Sequence, residues 1–305
     1  MRANTLGPSS VTPQAISRWA ALKDGLGRSW YRFRRNPISL IGGSMVLLVI
    51  ILAILAPLVT PYPEQAGAFT DFSSVFRPPT QSHWFGTDEV GRDVFTRVIF
   101  GYRVSLMMAA VVLGISVPFG IFLGLVAGYF GGWIETVIMR ITDVFLSLPA
   151  LVMALAICAA FSPTIEHAML AVASIWWTWH CRLVHSLTRS IKTEEFVQAS
   201  QVIGSSHLRI LFKDILPNCA SAIIVKITLD AGFVILVGAS LSFLGLGVQP
   251  PKPGLGTMIS YGAQHLPMQW WLTVFPSFAI FFLILGFNLL GDGLRDMLDV
   301  EAEGI

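Results

Sequence analysis

Residues 38–59 read ISLIGGSMVLLVIILAILAPLV, 22 positions without one charged side chain. Wound as a helix at 1.5 Å per residue they reach about 33 Å, enough to cross a bilayer core of about 30 Å. Composition makes this stretch representative of the chain. Hydrophobic residues are 54% of 305 and charged residues 12%, with a mean hydropathy of +0.69. A soluble domain carries about 25% charged residues, so the surplus apolar surface has to face lipid. Five further runs, at 104–126, 134–161, 167–184, 219–241 and 272–290, have the same character. The fourth is the least apolar, because His180 and Arg182 crowd its end. The fold expected is therefore an all-α polytopic membrane protein with six transmembrane helices. Pro118 and Pro149 fall inside runs, where neighbouring helices can satisfy the carbonyls they free. The first run follows a 36-residue tail and is too long for the h-region of a signal peptide. Cys158, Cys181 and Cys219 are odd in number and lack CxxC spacing, so they read as free buried thiols.

Lysine and arginine bias orients the spans. With the N-terminus in the cytoplasm, the inside segments hold Arg2, Arg18, Lys23, Arg28, Arg32, Arg34, Arg35, Arg182, Arg189, Lys192, Arg209, Lys213 and Arg295. The outside segments hold Arg77, Arg92, Arg97, Arg103 and Lys252, so both termini are expected inside. The organisation that results is a cytoplasmic tail at 1–37, a first span at 38–59 and an extracytoplasmic segment at 60–103. A five-helix core at 104–290 follows, with a cytoplasmic loop at 185–218, and then a cytoplasmic tail at 291–305. In the N-terminal tail Ile16, Trp19, Leu22, Leu26, Trp30 and Phe33 recur at helical spacing between basic residues. That pattern suits an amphipathic helix, lying in the inner interface or packed on protein.

The extracytoplasmic segment contains Gly86-Thr87-Asp88-Glu89-Val90-Gly91-Arg92-Asp93. Its glycine spacing is that of a phosphate-binding loop, but Arg92 stands where the lysine belongs and Asp93 where the magnesium-holding hydroxyl belongs. A carboxylate there repels nucleotide, so the chain shows no ATP site of its own. From Asp88 onward Val90, Val94, Val98 and Tyr102 form a helical stripe, with Asp93 and Arg97 at a favourable i,i+4 spacing. A short amphipathic helix leading into the second span is expected.

The most informative segment is the long cytoplasmic loop, Glu194-Glu195-Phe196-Val197-Gln198-Ala199-Ser200-Gln201-Val202-Ile203-Gly204 continuing to Ile215-Leu216-Pro217-Asn218. Ala199 and Ser200 are small, Gly204 breaks the helix, Leu208, Leu211 and Phe212 make an apolar face, and Pro217 starts the next span. Two short helices meeting at a small-residue corner form a knob suited to a partner's groove. A β-branched residue at Gly204 is expected to stiffen and crowd that corner.

This loop resembles the "EAA" motif of ABC importer permeases: Glu-Ala-Ala, three residues, Gly, nine residues, then Ile-x-Leu-Pro. Ala199, Gly204, Leu216 and Pro217 match, whereas Gln198, Ser200 and Asp214 depart from the pattern. Three other stretches resemble the second permease of dipeptide, oligopeptide and nickel importers. They are His83 to Asp88 with Gly91-Arg92-Asp93, Leu241 to Gly247 with Pro250-Pro251, and Phe287 to Asp296. After Pro253 the family usually has Glu-Trp-Gly, and this chain has Gly254-Leu255-Gly256. The resemblance covers about residues 30 to 300. It implies the type I ABC importer permease fold in a bacterial plasma (inner) membrane and a non-catalytic role. It implies as partners a sister permease sharing the translocation path, two ATPase subunits and an extracytoplasmic binding protein. ATP and magnesium would belong to the ATPases, and Gln198, Ala199, Ser200, Gly204, Leu216 and Pro217 would couple them to the path. The solute class would be peptides or similar small molecules.

Within the spans, Lys226 and Asp230 stand four apart and either pair with one another or line a watery path. Arg140 and Asp143 lie near the inner end of the third span, where snorkelling accounts for them. Trp176, Trp177 and Trp179 sit at mid-membrane, as path wall or as packing, whereas Trp270 and Trp271 read as outer-interface anchors. The six histidines form no metal-ligand cluster, and no feature suggests nucleic acid. The rival class is a secondary transporter or channel working without an ATPase. It would not need the cytoplasmic knob, and no inverted repeat is visible.

Overall fold

The computed structural model describes residues 34–299, so the amphipathic pattern before Arg34 lies outside the described residues. Every regular element among those residues is helical. In chain order the main ones are α1 (Pro37–Ile54), α2 (Val94–Phe130), α3 (Gly132–Leu146), α4 (Ala150–Ala159), α5 (Ile165–Ile191), α6 (Glu195–Val202), α7 (Leu216–Phe243), α8 (Leu255–Ala263) and α9 (Trp271–Asp299).

Among the described residues four helices are apolar and long enough to cross a bilayer: α1, α2, α9, and the continuous helix His207–Phe243 that ends as α7. α3 and α4 together reach the same length and apolarity but meet at 84°. The expected straight span at 134–161 is thus broken. Pro149 does not sit inside a helix; it caps α4 at φ −59° and ψ 125°, because a proline restricts the residue before it and cannot donate to a preceding turn. α5 is 27 residues long, but Glu166, Arg182 and Arg189 keep it below the apolarity of the others. Outward on α1 point Leu47, Leu48, Ile51 and Ile54, and on α9 Phe278 and Phe281, the surface that lipid tails would solvate.

Lipid gives no hydrophobic drive for helices to associate, so close backbone approach has to do it. α2 and α5 form the most extensive helix contact. Gly120, Gly124 and Gly128 of α2 stand four apart, and a Cβ on them would lie 2.4 Å from the Trp177 carbonyl oxygen, 2.6 Å from that of Cys181 and 2.7 Å from Thr188 Cβ. On the other flank α1 nests against α9, where a Cβ at Gly42 would meet the Leu290 nitrogen at 2.4 Å. Cys158, Cys181 and Cys219 are free and buried.

Candidate functional site

At one end of the bundle α2 ends at Phe130, and residues 192–206, which include α6, join α5 to the continuous helix that runs from His207 into α7. α5 stays helical through Ile191, α6 follows at Glu195, and the helix that becomes α7 begins at His207, so the stretch between the two long helices is shorter than the 185–218 read from sequence. α6 stops in a left-handed glycine turn. Gly204 has φ +81°, its N–H donates to the Gln201 carbonyl at 3.0 Å, and the Ser205 N–H donates to the Ser200 carbonyl at 3.1 Å. These two bonds are the Schellman pattern that satisfies the last carbonyls of a helix. A Cβ at Gly204 would find nothing within 4 Å. Crowding is therefore not the reason for glycine at this corner; its positive φ is.

The second helix of the loop is not separate. His207–Arg209 runs through a π-helical stretch, Ile210–Ile215, directly into α7. Val197, Ile210, Leu211 and Ile215 are buried and anchor the loop. Phe196, Val202, Ile203, Leu208 and Phe212 point away from it, Val202 88% and Ile203 82% exposed. Leu211 thus leaves the apolar face expected with Leu208 and Phe212. Ala199, Gln198 and Pro217 are exposed, Ser200 and Leu216 half-buried. Gln198 Nε2 donates to the Thr193 carbonyl at 2.9 Å, inside its own loop. Side chains that the sequence did not single out hold the loop to α2. Tyr129 Oη bonds His207 Nδ1 at 2.9 Å, and Lys192 Nζ donates to the Tyr129 carbonyl at 2.7 Å. Together with Gln201 and Ser205 they line a cleft of about 340 Å³.

At the opposite end, Gly86–Asp93 is a folded latch and not a helix start. The helix begins only at Val94, so Val90 lies outside it, and Asp93 is the cap: its Oδ2 accepts from the Thr96 N–H at 2.8 Å. Asp93 Oδ1 meets His83 Nδ1 at 3.0 Å, and the Asp93 N–H donates to Gln65 Oε1 at 2.7 Å. The expected Asp93–Arg97 pair gives way to Asp88, which takes Arg92 Nε at 2.7 Å and Arg97 Nε at 3.5 Å. Arg97 also donates to the carbonyls of Ala66 (3.2 Å) and Pro251 (3.4 Å), joining the segment to the connection between α7 and α8. Gly91 has φ +82°, and a Cβ there would lie only 2.0 Å from the Asp71 carbonyl oxygen. Hydrogen bonds from the Ser73 and Ser74 hydroxyls hold the Asp71 carboxyl below its ordinary range. Trp271 is buried, its Nε1 donating to the Thr87 carbonyl at 3.2 Å, so it locks the latch and does not anchor at the interface; Trp270 is exposed.

Between these ends, Lys226 Nζ and Asp230 Oδ1 form an ion pair at 2.7 Å, and the Lys226 ammonium lies 5.5 Å over the Trp179 ring. Asp230 and Trp176 are buried, Trp179 is exposed and Lys226 partly so. His180 Nε2 approaches Asp230 Oδ2 at 3.5 Å, beyond good hydrogen-bond geometry. Trp177 packs edge-on against Phe119 and Phe145. Asp143 does not snorkel alone; it pairs with Arg182 of α5. Glu135 accepts from His185 Nε2 at 2.8 Å and Arg189 Nη1 at 3.1 Å. Among the described residues no group of histidine, cysteine and carboxylate side chains has the makings of a metal site.

An all-helical membrane bundle with an exposed apolar loop at one end matches known proteins. Residues 120–301 match the family described as binding-protein-dependent transport system inner membrane component, and residues 26–79 match the N-terminal TM domain of oligopeptide transport permease C. The dipeptide transport system permease protein DppC of Alkalihalophilus pseudofirmus is 39% identical over 300 residues, covering 97% of this chain and 95% of that one. The glutathione transport system permease protein GsiD of Escherichia coli O6:K15:H31 is 40% identical over 275 residues, 90% of each chain. In fold, the chain is similar to an inward-facing structure of the MetNI methionine ABC transporter, with TM-score 0.55, 17% identity, and 67% of this chain and 97% of that one covered. The chain belongs to the family of binding-protein-dependent transport system inner membrane components, and it is a multi-pass, non-catalytic permease subunit of an ABC importer.

Proposed function

We propose that this subunit, with a sister permease, forms the path by which peptides or similar small solutes enter the cell, and that two ATPase subunits drive it through the 192–206 loop. An extracytoplasmic binding protein delivers the solute, and ATP with magnesium stays on the ATPases. The observation that carries this reading is the solvent-facing Val202, Ile203, Leu208 and Phe212 around the Gly204 corner. Apolar side chains held outward by an anchored, hydrogen-bonded turn favour a protein partner. Gln198, Ala199, Ser200, Gly204, Leu216 and Pro217 form or flank the contact. Gln198 is neutral and bonded to its own loop, so its part is to brace α6 and not to form a charged contact. The chain crosses six times, α3 and α4 serving as one bent crossing and the less apolar α5 as another. Both termini then face the cytoplasm, the end that carries the basic residues. Trp179 and Lys226 line the path, with Trp176 and Asp230 buried behind them. The peptide class is supported by the names of the dipeptide and glutathione permeases to which the chain is similar.

The test is reconstitution of the subunit alone, and then with its sister permease, ATPases and binding protein, in proteoliposomes supplied with ATP and labelled di-alanine or glutathione. The subunit alone should neither hydrolyse ATP nor accumulate solute, and the complete assembly should do both. Uptake by the subunit without ATPases would establish the secondary-transporter class instead.

A further inference from the structure

Three ion pairs succeed one another along the inner half of the bundle, and in each the cation is the more exposed partner. The side chains of Lys226 and Asp230 are 30% and 2% exposed. Those of Arg182 and Asp143 are 51% and 44% exposed, and those of Arg189 and Glu135 63% and 24%. The cations also share one side. Trp179, Arg182, Ser186 and Arg189 follow one another on α5 at steps of three and four, which places them on one helix face. Lys226 joins that face from α7, its ammonium over the exposed Trp179 ring. At 1.5 Å per residue, Trp179 lies about 21 Å along α5 from Ile165 and Arg189 about 36 Å. The row therefore runs from mid-membrane to the loop end, beside α6. Arg140 of α3 is exposed as well and makes no ion pair among the described residues.

Lipid cannot face such a row, since intramembrane charges sit toward a bundle interior or water. Each outward cation keeps spare donors, because an ammonium has three and a guanidinium five. Its own carboxylate partner holds it in place from behind and reduces its pull on any other anion.

We propose that Lys226, Arg182 and Arg189, with the Trp179 ring at the upper end, form a cationic track that lines the permeation path and takes the carboxylate of an anionic or zwitterionic small solute. This rests on the importer reading above and adds the chemistry of the path. A carboxylate passes from one cation to the next, and partial neutralisation at each rung keeps the binding weak enough for release. Asp230, Asp143 and Glu135 are positioning residues that orient the cations.

The test places a reporter thiol on the track. Ser186→Cys, in a variant whose Cys158, Cys181 and Cys219 are replaced by alanine, sits within one turn of both Arg182 and Arg189 and is exposed. In the complete reconstituted complex its rates of reaction with a sulfonate-bearing and a trimethylammonium-bearing methanethiosulfonate are compared with those of free cysteine. A positive charge about 6 Å away should shift the rate ratio toward the anionic reagent by about tenfold. Two charge-balanced variants, Arg182→Gln with Asp143→Asn and Arg189→Gln with Glu135→Gln, keep the net charge and should return the ratio toward that of free cysteine. No reaction with either reagent, with and without ATP, would mean that the row is covered by the sister permease and would overturn the proposal. So would a ratio equal to that of free cysteine, or a shift that survives both charge-balanced variants. Failure of the importer reading shows separately, as absence of ATP-driven uptake in the same proteoliposomes.

Discussion

Replacing Gly204 tests whether backbone conformation or side-chain room governs the loop corner. At φ +81° an L-residue brings its Cβ against the backbone, costing about 1–2 kcal/mol, and a β-branched residue is at the upper end or beyond, about 1–3 kcal/mol. The two turn bonds of the corner, Gly204 N–H to Gln201 and Ser205 N–H to Ser200, each contribute about 1 kcal/mol net. The penalty for valine thus matches what holds the turn together, and the turn should open. Because a Cβ would meet nothing within 4 Å, size by itself should matter little. Asparagine, which enters the left-handed region more readily than alanine, should therefore be tolerated better despite its greater bulk. A loss of about 1 kcal/mol in Gly204→Ala corresponds to roughly fivefold less docked loop, and about 2 kcal/mol in Gly204→Val to roughly thirtyfold. The assay measures uptake, binding-protein-stimulated ATP hydrolysis and subunit assembly on the same reconstituted variants. The expected order is Gly, Asn, Ala, Val, with membrane insertion unchanged, since the corner lies outside the packed helices. Alanine outperforming asparagine would show that a partner fills the space beside Gly204 and would refute the conformational argument. Valine performing as well as glycine would mean that the loop only connects two helices.

Two further outcomes follow from the ends of the bundle. Single cysteines at Gln81 and Ser206, both exposed, should react with an impermeant thiol reagent from opposite sides of the membrane, Gln81 from outside; labelling of both from one side would remove the six-crossing arrangement. Gly91→Ala should destabilise the outer latch by about 2 kcal/mol or more, because its methyl would meet the Asp71 carbonyl at 2.0 Å in a left-handed backbone. Protease accessibility of residues 60–93 reads this out, and an unchanged cleavage rate would show that the latch is not held at Gly91.

Much of the candidate site could be read directly from the chain. Gly204, Ala199, Leu216 and Pro217 carry a local pattern, and a helix stop followed by a proline-started helix depends on neighbours a few residues away. The Lys226–Asp230 pair was legible for the same reason, being one turn apart on a single helix. Other partners were not. Arg182 with Asp143, Arg189 with Glu135, and Tyr129 with His207 join residues 39, 54 and 78 positions apart, and no local spacing announces them. Gly120, Gly124 and Gly128 did carry a signal, their four-residue repeat, which marks where α5 approaches.

By itself the sequence determined that the chain is helical and lives in lipid. Hydropathy is additive along the chain, and a bilayer admits backbone only where its hydrogen bonds are satisfied within the segment. It also determined the loop motif, whose geometry is local. Only the tertiary structure decided that α3 and α4 bend at Pro149, that Asp93 caps a helix while Asp88 takes the arginines, and that Trp271 is buried beneath Thr87. Each of these is a competition among partners that are distant in sequence. The winner is set by burial, since an unpaired charge or N–H away from water costs more than any local preference supplies.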